Sequence, residues 1–219
     1  MVRLYAAILG YCFGLIQTAF IYGKLHGIDI RKQGSGNAGT TNALRTLGLK
    51  AGVIVMLGDL LKVIIAVLVM RFTIGKLAPE LDYLLRAYTG FGCILGHNYP
   101  FYMGFKGGKG VACTSGYIMS FSRVMTVIGL ILFFGTVALT HYVSLASLLV
   151  GALLMIGTVV LGQMGRLGLS GFTLAEMYIL TAIILGEMIF RHRSNIARLI
   201  SGTERKTYIF HKNKGGVNK

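Results

Sequence analysis

Seven apolar stretches separated by short polar loops dominate the pattern of this chain. A helix needs roughly 20 apolar residues, with a range of about 17–25, to cross the hydrocarbon core of a bilayer. Six stretches reach this length, and the fourth is shorter. The pattern predicts an all-α, polytopic membrane protein with seven transmembrane helices, at Leu4–Tyr22, Val53–Met70, Leu84–Tyr102, Val111–Phe121, Val124–Thr140, Val143–Leu161 and Phe172–Phe190.

The composition requires a membrane location. Hydrophobic residues make up 54% of the 219 residues and charged residues 13%, against about 25% charged residues in soluble domains. A soluble globule with a mean hydropathy of +0.69 would expose much apolar surface. Cys12, Cys93 and Cys113 show no CxxC spacing, so neither a disulfide framework nor a zinc site is predicted.

The net charge of +15 indicates a lipid partner and no nucleic acid, because the basic residues lie between the apolar stretches and near the C-terminus. Seven crossings place 15 of the 22 Lys and Arg residues on one side of the membrane. Cytoplasmic loops carry such an excess, which predicts an N-terminus outside and a C-terminus in the cytoplasm. If Val111–Phe121 did not cross, the basic C-terminal region would lie outside. We expect one membrane domain over 1–204 and a frayed, basic polar tail over 205–219.

A glycine-rich loop with the sequence GFKGGKG occupies Gly104–Gly110 on the predicted cytoplasmic face. Consecutive N–H groups can form a concave anion site, and glycine permits close approach of a ligand. Lys106 and Lys109 add charges suited to phosphate. The loop is not a Walker A motif, which needs glycine at position 103 and Ser or Thr at position 110. A charged turn would need neither four glycines nor a second lysine, so Gly107 and Gly108 are candidates for phosphate binding.

A second glycine-rich loop, GSGNAGTTN at 34–42, lies on the same predicted face. Its Ser, Thr and Asn residues can cap a helix, and a helix N-terminus attracts phosphate. Arg45 would lie one turn into that helix, although a flexible loop with an ordinary cap is the simpler alternative. Two such loops, each with a nearby cation, indicate a ligand with more than one anionic group.

Further polar residues lie at predicted helix ends. His97 is a candidate base, but the HxxxxD acyltransferase motif would need Asp at position 102, where this chain has tyrosine. Ser144 and Ser147 can cap the sixth helix or donate to a ligand. The stretch 191–195 is either a basic stop at the membrane edge or an anion site.

Two spacings permit ion pairs within helices, and acidic residues are otherwise scarce. Asp59 and Lys62 are three residues apart, and Glu187 and Arg191 are four apart; structural and functional roles are equal alternatives for both pairs. The seven acidic residues do not cluster, and the DxxDG…AR cassette of CDP-alcohol phosphotransferases is absent. Neither a Mg²⁺ site nor a cofactor is therefore predicted.

Four motifs together resemble the bacterial acyl-phosphate-dependent glycerol-3-phosphate acyltransferases, the PlsY family. They are GSGNAGTTN at 34–42 with Arg45, GHNYPFYMGFKGGKGVA at 96–112, YVSLAS at 142–147 and RHRSNIARLISGTE at 191–204. The resemblance implies acyl transfer from acyl phosphate to the 1-hydroxyl of sn-glycerol 3-phosphate, the first acylation of phospholipid synthesis. The products are lysophosphatidic acid and phosphate. It further implies a multi-pass protein of the bacterial inner membrane with a cytoplasmic active site, in transient contact with the enzyme that makes acyl phosphate.

The resemblance also implies that Ser35, Asn37, Arg45, Lys109, Ser147, His192 and Asn195 bind the two phosphates. With the residue-based candidates, the predicted catalytic residues are Arg45, Lys109 and His192. The predicted substrate-binding residues are Ser35, Gly36, Asn37, Thr41, Asn42, His97, Lys106, Gly107, Gly108, Ser144, Ser147, Arg193 and Asn195.

Two questions stay open from the residues. The proton acceptor is His192, His97 or a substrate phosphate. An organophosphate transporter would use similar basic loops, but it would place its anion sites near the middle of the membrane on broken helices.

Overall fold

The structure, a computed structural model, describes residues 1–208, and over that range its regular secondary structure consists of helices. Its α-helices are α1 (Val2–Gly14), α2 (Thr18–Leu25), α3 (Thr40–Leu47), α4 (Leu49–Phe72), α5 (Asp82–Asn98), α6 (Val111–Phe121), α7 (Arg123–Thr140), α8 (Val143–Gln163), α9 (Gly171–Arg191) and α10 (Arg193–Ile200). Short 3₁₀ turns lie at Ile30–Lys32, Ile74–Leu77, Pro79–Leu81 and Phe101–Met103.

The predicted all-helical, membrane-spanning class is confirmed at the level of helix length and composition. Five stretches within the described chain are long and apolar enough to cross a membrane: Val2–Leu25, Leu49–Leu77, Arg123–Thr140, Val143–Gln163 and Gly171–Arg191. Helix α5 has 17 residues and α6 has 11. The crossing of these two shorter helices, and with it the count of seven, stays a prediction.

The first apolar stretch is interrupted, and the prediction of one continuous helix over Leu4–Tyr22 is wrong. Helix α1 ends at Gly14 and α2 begins at Thr18. An unwound segment inside a membrane protein needs partners for its backbone groups. Carbonyl groups at this break accept hydrogen bonds from the ammonium of Lys62, at 2.7 Å, and from the hydroxyl of Tyr102, at 2.6 Å.

Helices α1 and α5 pack backbone to backbone along glycines that repeat every four residues. These are Gly10 and Gly14 on α1 and Gly92 and Gly96 on α5. A Cβ atom at Gly92 would lie 2.1 Å from the carbonyl oxygen of Ala7. Small residues at this spacing permit close helix contact in membranes.

The core lies where α4, α5, α6, α8 and α9 meet. Leu84, Tyr117, Leu154 and Met177 are among its fully buried side chains. In contrast, α7 leaves a row of large apolar side chains exposed. An outer apolar face fits contact with lipid rather than water.

The two predicted ion pairs have different outcomes. Asp59 and Lys62 pair at 2.9 Å with both side chains almost fully buried. Glu187 and Arg191, both in the described part of the chain, do not pair. Glu187 instead accepts hydrogen bonds from the Asn98 side chain and from the hydroxyl of Tyr99.

Candidate active site

A cavity of about 920 Å³ opens between the two glycine-rich loops and the neighbouring ends of α8, α9 and α10. The cavity brings together 14 of the 16 residues predicted from the sequence: Ser35, Gly36, Asn37, Thr41, Asn42, Arg45, His97, Lys106, Gly107, Lys109, Ser144, Ser147, His192 and Asn195. Gly108 and Arg193 do not line it. Within residues 1–208, the cavity wall contains seven Lys and Arg residues but only two carboxylates, those of Asp59 and Glu204. This excess of positive charge favours an anionic ligand.

Three helices begin at the cavity wall without a side-chain cap. Helix α3 starts after Gly39, α6 after Gly110 and α8 after Tyr142, and none of these positions supplies a capping hydrogen bond. The first N–H groups of an α-helix have no partner inside the helix. Such N-termini attract phosphate through free N–H groups and the helix dipole. Three of them around one cavity give it chemistry suited to a phosphate group.

The first loop is shaped by Asn42 rather than left free. The Asn42 side chain accepts from the N–H of Ser35 at 2.8 Å and donates to the carbonyls of Ile30 and Gln33. These bonds occupy its amide nitrogen and oxygen, so the geometry gives Asn42 a role in holding the loop. Thr40, which was not among the predicted residues, lines the cavity with a buried hydroxyl that has no partner within the described residues.

The second loop uses its glycines for close packing rather than as an anion nest. The N–H of Gly107 donates to the Asn98 carbonyl and the N–H of Gly108 to the His97 carbonyl, at 3.1 and 3.0 Å. The prediction that these two N–H groups face a ligand is therefore wrong. A Cβ atom at Gly108 would lie 2.0 Å from Nε2 of His97, so only glycine fits there.

Arg191 anchors this loop from the end of α9. Its guanidinium donates to the Gly108 carbonyl at 2.6 Å and to the Gly107 carbonyl at 3.3 Å. The sequence indicated Arg191 as a possible ion-pair partner of Glu187 and as part of the basic stretch 191–195, but not as an anchor for this loop. Arg193 points away from the cavity, because its guanidinium donates to the Phe190 carbonyl and lies over the Phe190 ring. The predicted substrate contact of Arg193 does not fit this geometry.

Glu204 organises the polar wall, although it was not among the predicted site residues. Its carboxylate accepts hydrogen bonds from Ser144 at 3.0 Å, from Asn195 at 2.7 Å and from Arg198 at 2.7 Å. Burial alone raises the pKa of Glu204, but these hydrogen bonds outweigh burial and lower it. A single acidic residue at the end of a basic segment was the only sequence signal for this role.

Lys109 reaches the same network, since its ammonium donates to Oδ1 of Asn195. Burial, followed by the charge of Arg198, lowers the pKa of Lys109 to about 8, against the opposing charge of Glu204. Burial also lowers the pKa of Arg45, with Arg205 contributing. Both cations are half-buried, so an anionic ligand interacts with them more strongly than with a fully exposed charge.

Residues 205–208 pack against the cavity, so the expected fraying after Glu204 is wrong for this part of the tail. Arg45 donates to the Thr207 hydroxyl at 2.6 Å and to the Arg205 carbonyl at 3.3 Å. The Thr207 N–H donates to the His141 carbonyl at 2.8 Å. Residues 209–219 of the predicted tail lie outside the described residues.

His192 presents a hydrogen-bond acceptor to the cavity. Its Nδ1 lies 2.8 Å from the Met188 carbonyl oxygen, which can only accept, so Nδ1 carries the proton and Nε2 the lone pair. Burial, followed by the charge of Lys109, lowers the pKa of His192 to about 4. His192 is therefore neutral at physiological pH.

The other half of the cavity is apolar and deep. It is lined by Leu60 on α4, Ile118 on α6, Leu130 and Phe133 on α7 and Val150 on α8. This half can hold an alkyl chain while the polar half holds anions. Within residues 1–208, no three His, Cys, Asp or Glu side chains gather as a metal-ligand group.

Comparison with known proteins gives a consistent result. A family model described as "Glycerol-3-phosphate acyltransferase" matches residues 4–202. A relative of that description from Clostridioides difficile (strain 630) is 40% identical and aligns with 91% of this chain and 93% of its own. Another from Halalkalibacterium halodurans is 43% identical, over 90% of this chain and 91% of its own.

Two solved structures share the fold. Both are crystal structures of PlsY, described as an integral membrane glycerol 3-phosphate acyltransferase. The glycerol 3-phosphate form superposes with a TM-score of 0.79 at 33% identity and covers 95% of this chain and 96% of that chain. The lysophosphatidic acid form has a TM-score of 0.77 at 32% identity, over 95% and 97% of the two chains.

Proposed function

The chain belongs to the glycerol-3-phosphate acyltransferase family, and on this premise we propose that it transfers a fatty acyl group from an acyl phosphate to the 1-hydroxyl of sn-glycerol 3-phosphate. Lysophosphatidic acid and inorganic phosphate are the products. One observation carries the proposal: a single cavity joins a cationic half, at three uncapped helix N-termini, to an apolar half. Two phosphate groups and an acyl chain match these two halves.

The chemistry needs no covalent enzyme intermediate, because phosphate is already a good leaving group in a mixed anhydride. The 1-hydroxyl oxygen attacks the acyl carbon, the bond from that carbon to the phosphate oxygen breaks, and phosphate leaves with the bonding pair. Positioning two bound anions can contribute about 7–11 kcal/mol. Each fixed donor at the developing oxyanion can contribute roughly 2.7–4 kcal/mol, and we assign Arg45 and Lys109 to stabilising the developing negative charge.

A substrate phosphate oxygen takes the hydroxyl proton in this scheme. Phosphate monoesters have a second pKa of about 6, whereas burial and Lys109 lower the pKa of His192 to about 4. Phosphate is thus the stronger base of the two. His192 accepts a hydrogen bond from the attacking hydroxyl through Nε2 and so orients it.

Ser35, Gly36, Asn37, Thr41, Ser144, Ser147 and Asn195 bind the substrates in this proposal, with Lys106 as an additional cation. No metal or cofactor takes part, since lysine and arginine side chains supply the positive charge. We further propose seven membrane crossings within a domain spanning 1–204. The N-terminus lies outside the bacterial inner membrane and the active site on its cytoplasmic face, where the producer of acyl phosphate can make contact.

The decisive experiment gives purified protein labelled glycerol 3-phosphate with either an acyl phosphate or an acyl thioester, and measures lysophosphatidic acid. We expect turnover with acyl phosphate only. Turnover with the thioester alone would contradict the proposed donor. Lys109→Ala and Arg45→Ala should each lose at least about 10²-fold in kcat/KM while eluting from size exclusion like the wild type. Near-normal activity in either variant would contradict the assigned roles.

A further inference from the structure

A buried polar network, absent from the mechanism above, lies behind the second glycine-rich loop. The Lys62 ammonium on α4 lies 2.7 Å from the Ile16 carbonyl oxygen, 2.9 Å from Oδ1 of Asp59 and 3.0 Å from Nδ1 of His97. Asp59 also accepts from the Thr18 hydroxyl at 3.0 Å. Lys62, Asp59 and His97 are each less than 5% exposed.

Counting donors and acceptors fixes the tautomer of His97. An ammonium has three N–H groups and no acceptor. The Asp59 carboxylate and the carbonyls of Ile16 and Gly14, at 2.9, 2.7 and 3.4 Å, can only accept from it. Because the ammonium has no lone pair, Nδ1 of His97, which lies nearer to it at 3.0 Å than to Asp59 at 3.6 Å, must offer its own lone pair. The proton of the neutral imidazole therefore lies on Nε2.

The Nε2–H group lies at the second glycine-rich loop. His97 is part of the cavity wall, and its Nε2 would lie 2.0 Å from a Cβ atom at Gly108, between the cavity-lining residues Gly107 and Lys109. Within the described residues, Nε2 has no hydrogen-bond partner, whereas Nδ1 is held by Lys62. The main-chain carbonyl of His97 is also fixed, by Gln17 at 3.0 Å and by the N–H of Gly108. A rigid, unpaired donor in a cavity for anions needs an acceptor from the ligand.

We propose that His97 donates its Nε2–H to a substrate oxygen, and that Lys62, paired with Asp59, is the positioning residue that enforces this tautomer. The proposal rests on the proposed function of the cavity. It excludes His97 as the proton acceptor. His192, held in the opposite tautomer by the Met188 carbonyl, supplies an acceptor while His97 supplies a donor. The acceptor on the substrate is the acyl oxygen or a phosphate oxygen.

Two substitutions at His97 distinguish a role as hydrogen-bond donor from a role as proton acceptor. In His97→Gln the side-chain amide nitrogen can take the place of Nε2 and donate, but it cannot accept a proton. We expect His97→Leu to lose about 10²–10³-fold in kcat, the loss seen for a missing oxyanion donor, and His97→Gln to keep about a tenth or more of the wild-type kcat. Equal losses in the two variants would overturn the donor role.

The values of kcat and KM for the His97 variants identify which substrate oxygen accepts the hydrogen bond. Either of the two outcomes below supports donation by His97. A loss confined to kcat assigns the acyl oxygen, which gains charge only in the transition state, whereas a raised KM for one substrate assigns its phosphate. If the wild type makes no lysophosphatidic acid, the proposed function fails, and the measurement of the tautomer below still tests the role of Lys62.

Nitrogen-15 NMR of histidine-labelled protein reads the tautomer directly, with His97→Gln identifying the His97 signals. We expect the wild-type proton on Nε2. In Lys62→Met, Nδ1 loses its donor, so both tautomers should be populated and kcat should fall about tenfold or more. A wild-type proton on Nδ1, or an unchanged tautomer in Lys62→Met, would overturn the proposal.

Two further variants control for folding. Lys62→Met leaves Asp59 buried and unpaired, so Asp59→Asn/Lys62→Met provides the same test without an isolated charge. Arg3→Met breaks a different, partly exposed ion pair, in which Arg3 contacts both oxygens of Glu176 at 2.6 and 2.9 Å outside the cavity wall. This control should leave kcat and the His97 tautomer unchanged. An Arg3→Met variant that shifts the tautomer as Lys62→Met does would refute a specific role for Lys62.

Discussion

Raising the pH from 7 to 9 should weaken phosphate binding through Lys109. Burial and the nearby Arg198 lower the pKa of this ammonium to about 8, against the opposing charge of Glu204. The protonated form binds phosphate and predominates below pH 8, so binding is full at lower pH and is lost as the pH rises. Other groups at the site keep their charge between pH 7 and 9. The pKa of Glu204 is lowered and that of His192 is about 4, while arginine stays protonated.

The size of the effect follows from the two protonated fractions. With a pKa of about 8, Lys109 is about nine-tenths protonated at pH 7 and about one-tenth protonated at pH 9. If only the protonated form binds, affinity falls roughly tenfold, which corresponds to about 1.4 kcal/mol. The substrates do not contribute, because phosphate monoesters are already doubly ionised above a pKa of about 6.

The assay measures KM for acyl phosphate and for glycerol 3-phosphate at pH 7, 8 and 9, with enzyme-free reactions correcting for hydrolysis of the donor. We expect KM for the substrate that contacts Lys109 to rise about tenfold. Lys109→Arg keeps its charge over this range and should show a flat profile. Constant KM values for both substrates in the wild type, or the same rise in Lys109→Arg, would refute the reasoning.

Three further predictions concern packing and cofactors. Gly108→Ala places a Cβ atom 2.0 Å from Nε2 of His97, so kcat should fall about 10²-fold; wild-type kcat would contradict the loop geometry. Gly92→Ala opens the contact of α1 with α5, where the new Cβ would lie 2.1 Å from a carbonyl oxygen. It should lower the free energy of unfolding by about 1–3 kcal/mol, measured by denaturation in detergent, and an unchanged stability would argue against this packing. EDTA should leave the rate unchanged, and strong inhibition would overturn the metal-free mechanism.

Features that depend on residues close together in the chain could be predicted from the sequence. Apolar run length predicted most helices, because the bilayer imposes a minimum length on any spanning helix. Charge bias assigned the two glycine-rich loops, with Arg45 and Lys109, to one face, and these residues line one cavity. The same local evidence predicted the Asp59–Lys62 pair, since helical spacing alone brings them together.

Contacts between distant segments needed the tertiary structure. The sequence left the proton acceptor and the role of His97 open, whereas the placement of Lys62 determines the His97 tautomer. It also predicted free N–H groups at Gly107 and Gly108, which in fact bond to the end of α5. No local pattern shows that a carbonyl 9 or 11 residues away will accept the hydrogen bond of such a group.

The sequence by itself indicated the membrane class, most of the helices and the candidate residues for phosphate binding, because these depend on hydrophobicity and charge along the chain. Only the tertiary structure decided which of those polar groups remain free for a ligand. Glu204 became the centre of the polar wall through packing of α8 against α10, and Asn42 became a loop support through bonds to a preceding turn. A buried polar group must find a partner, and which partner it finds depends on the folded arrangement of the helices.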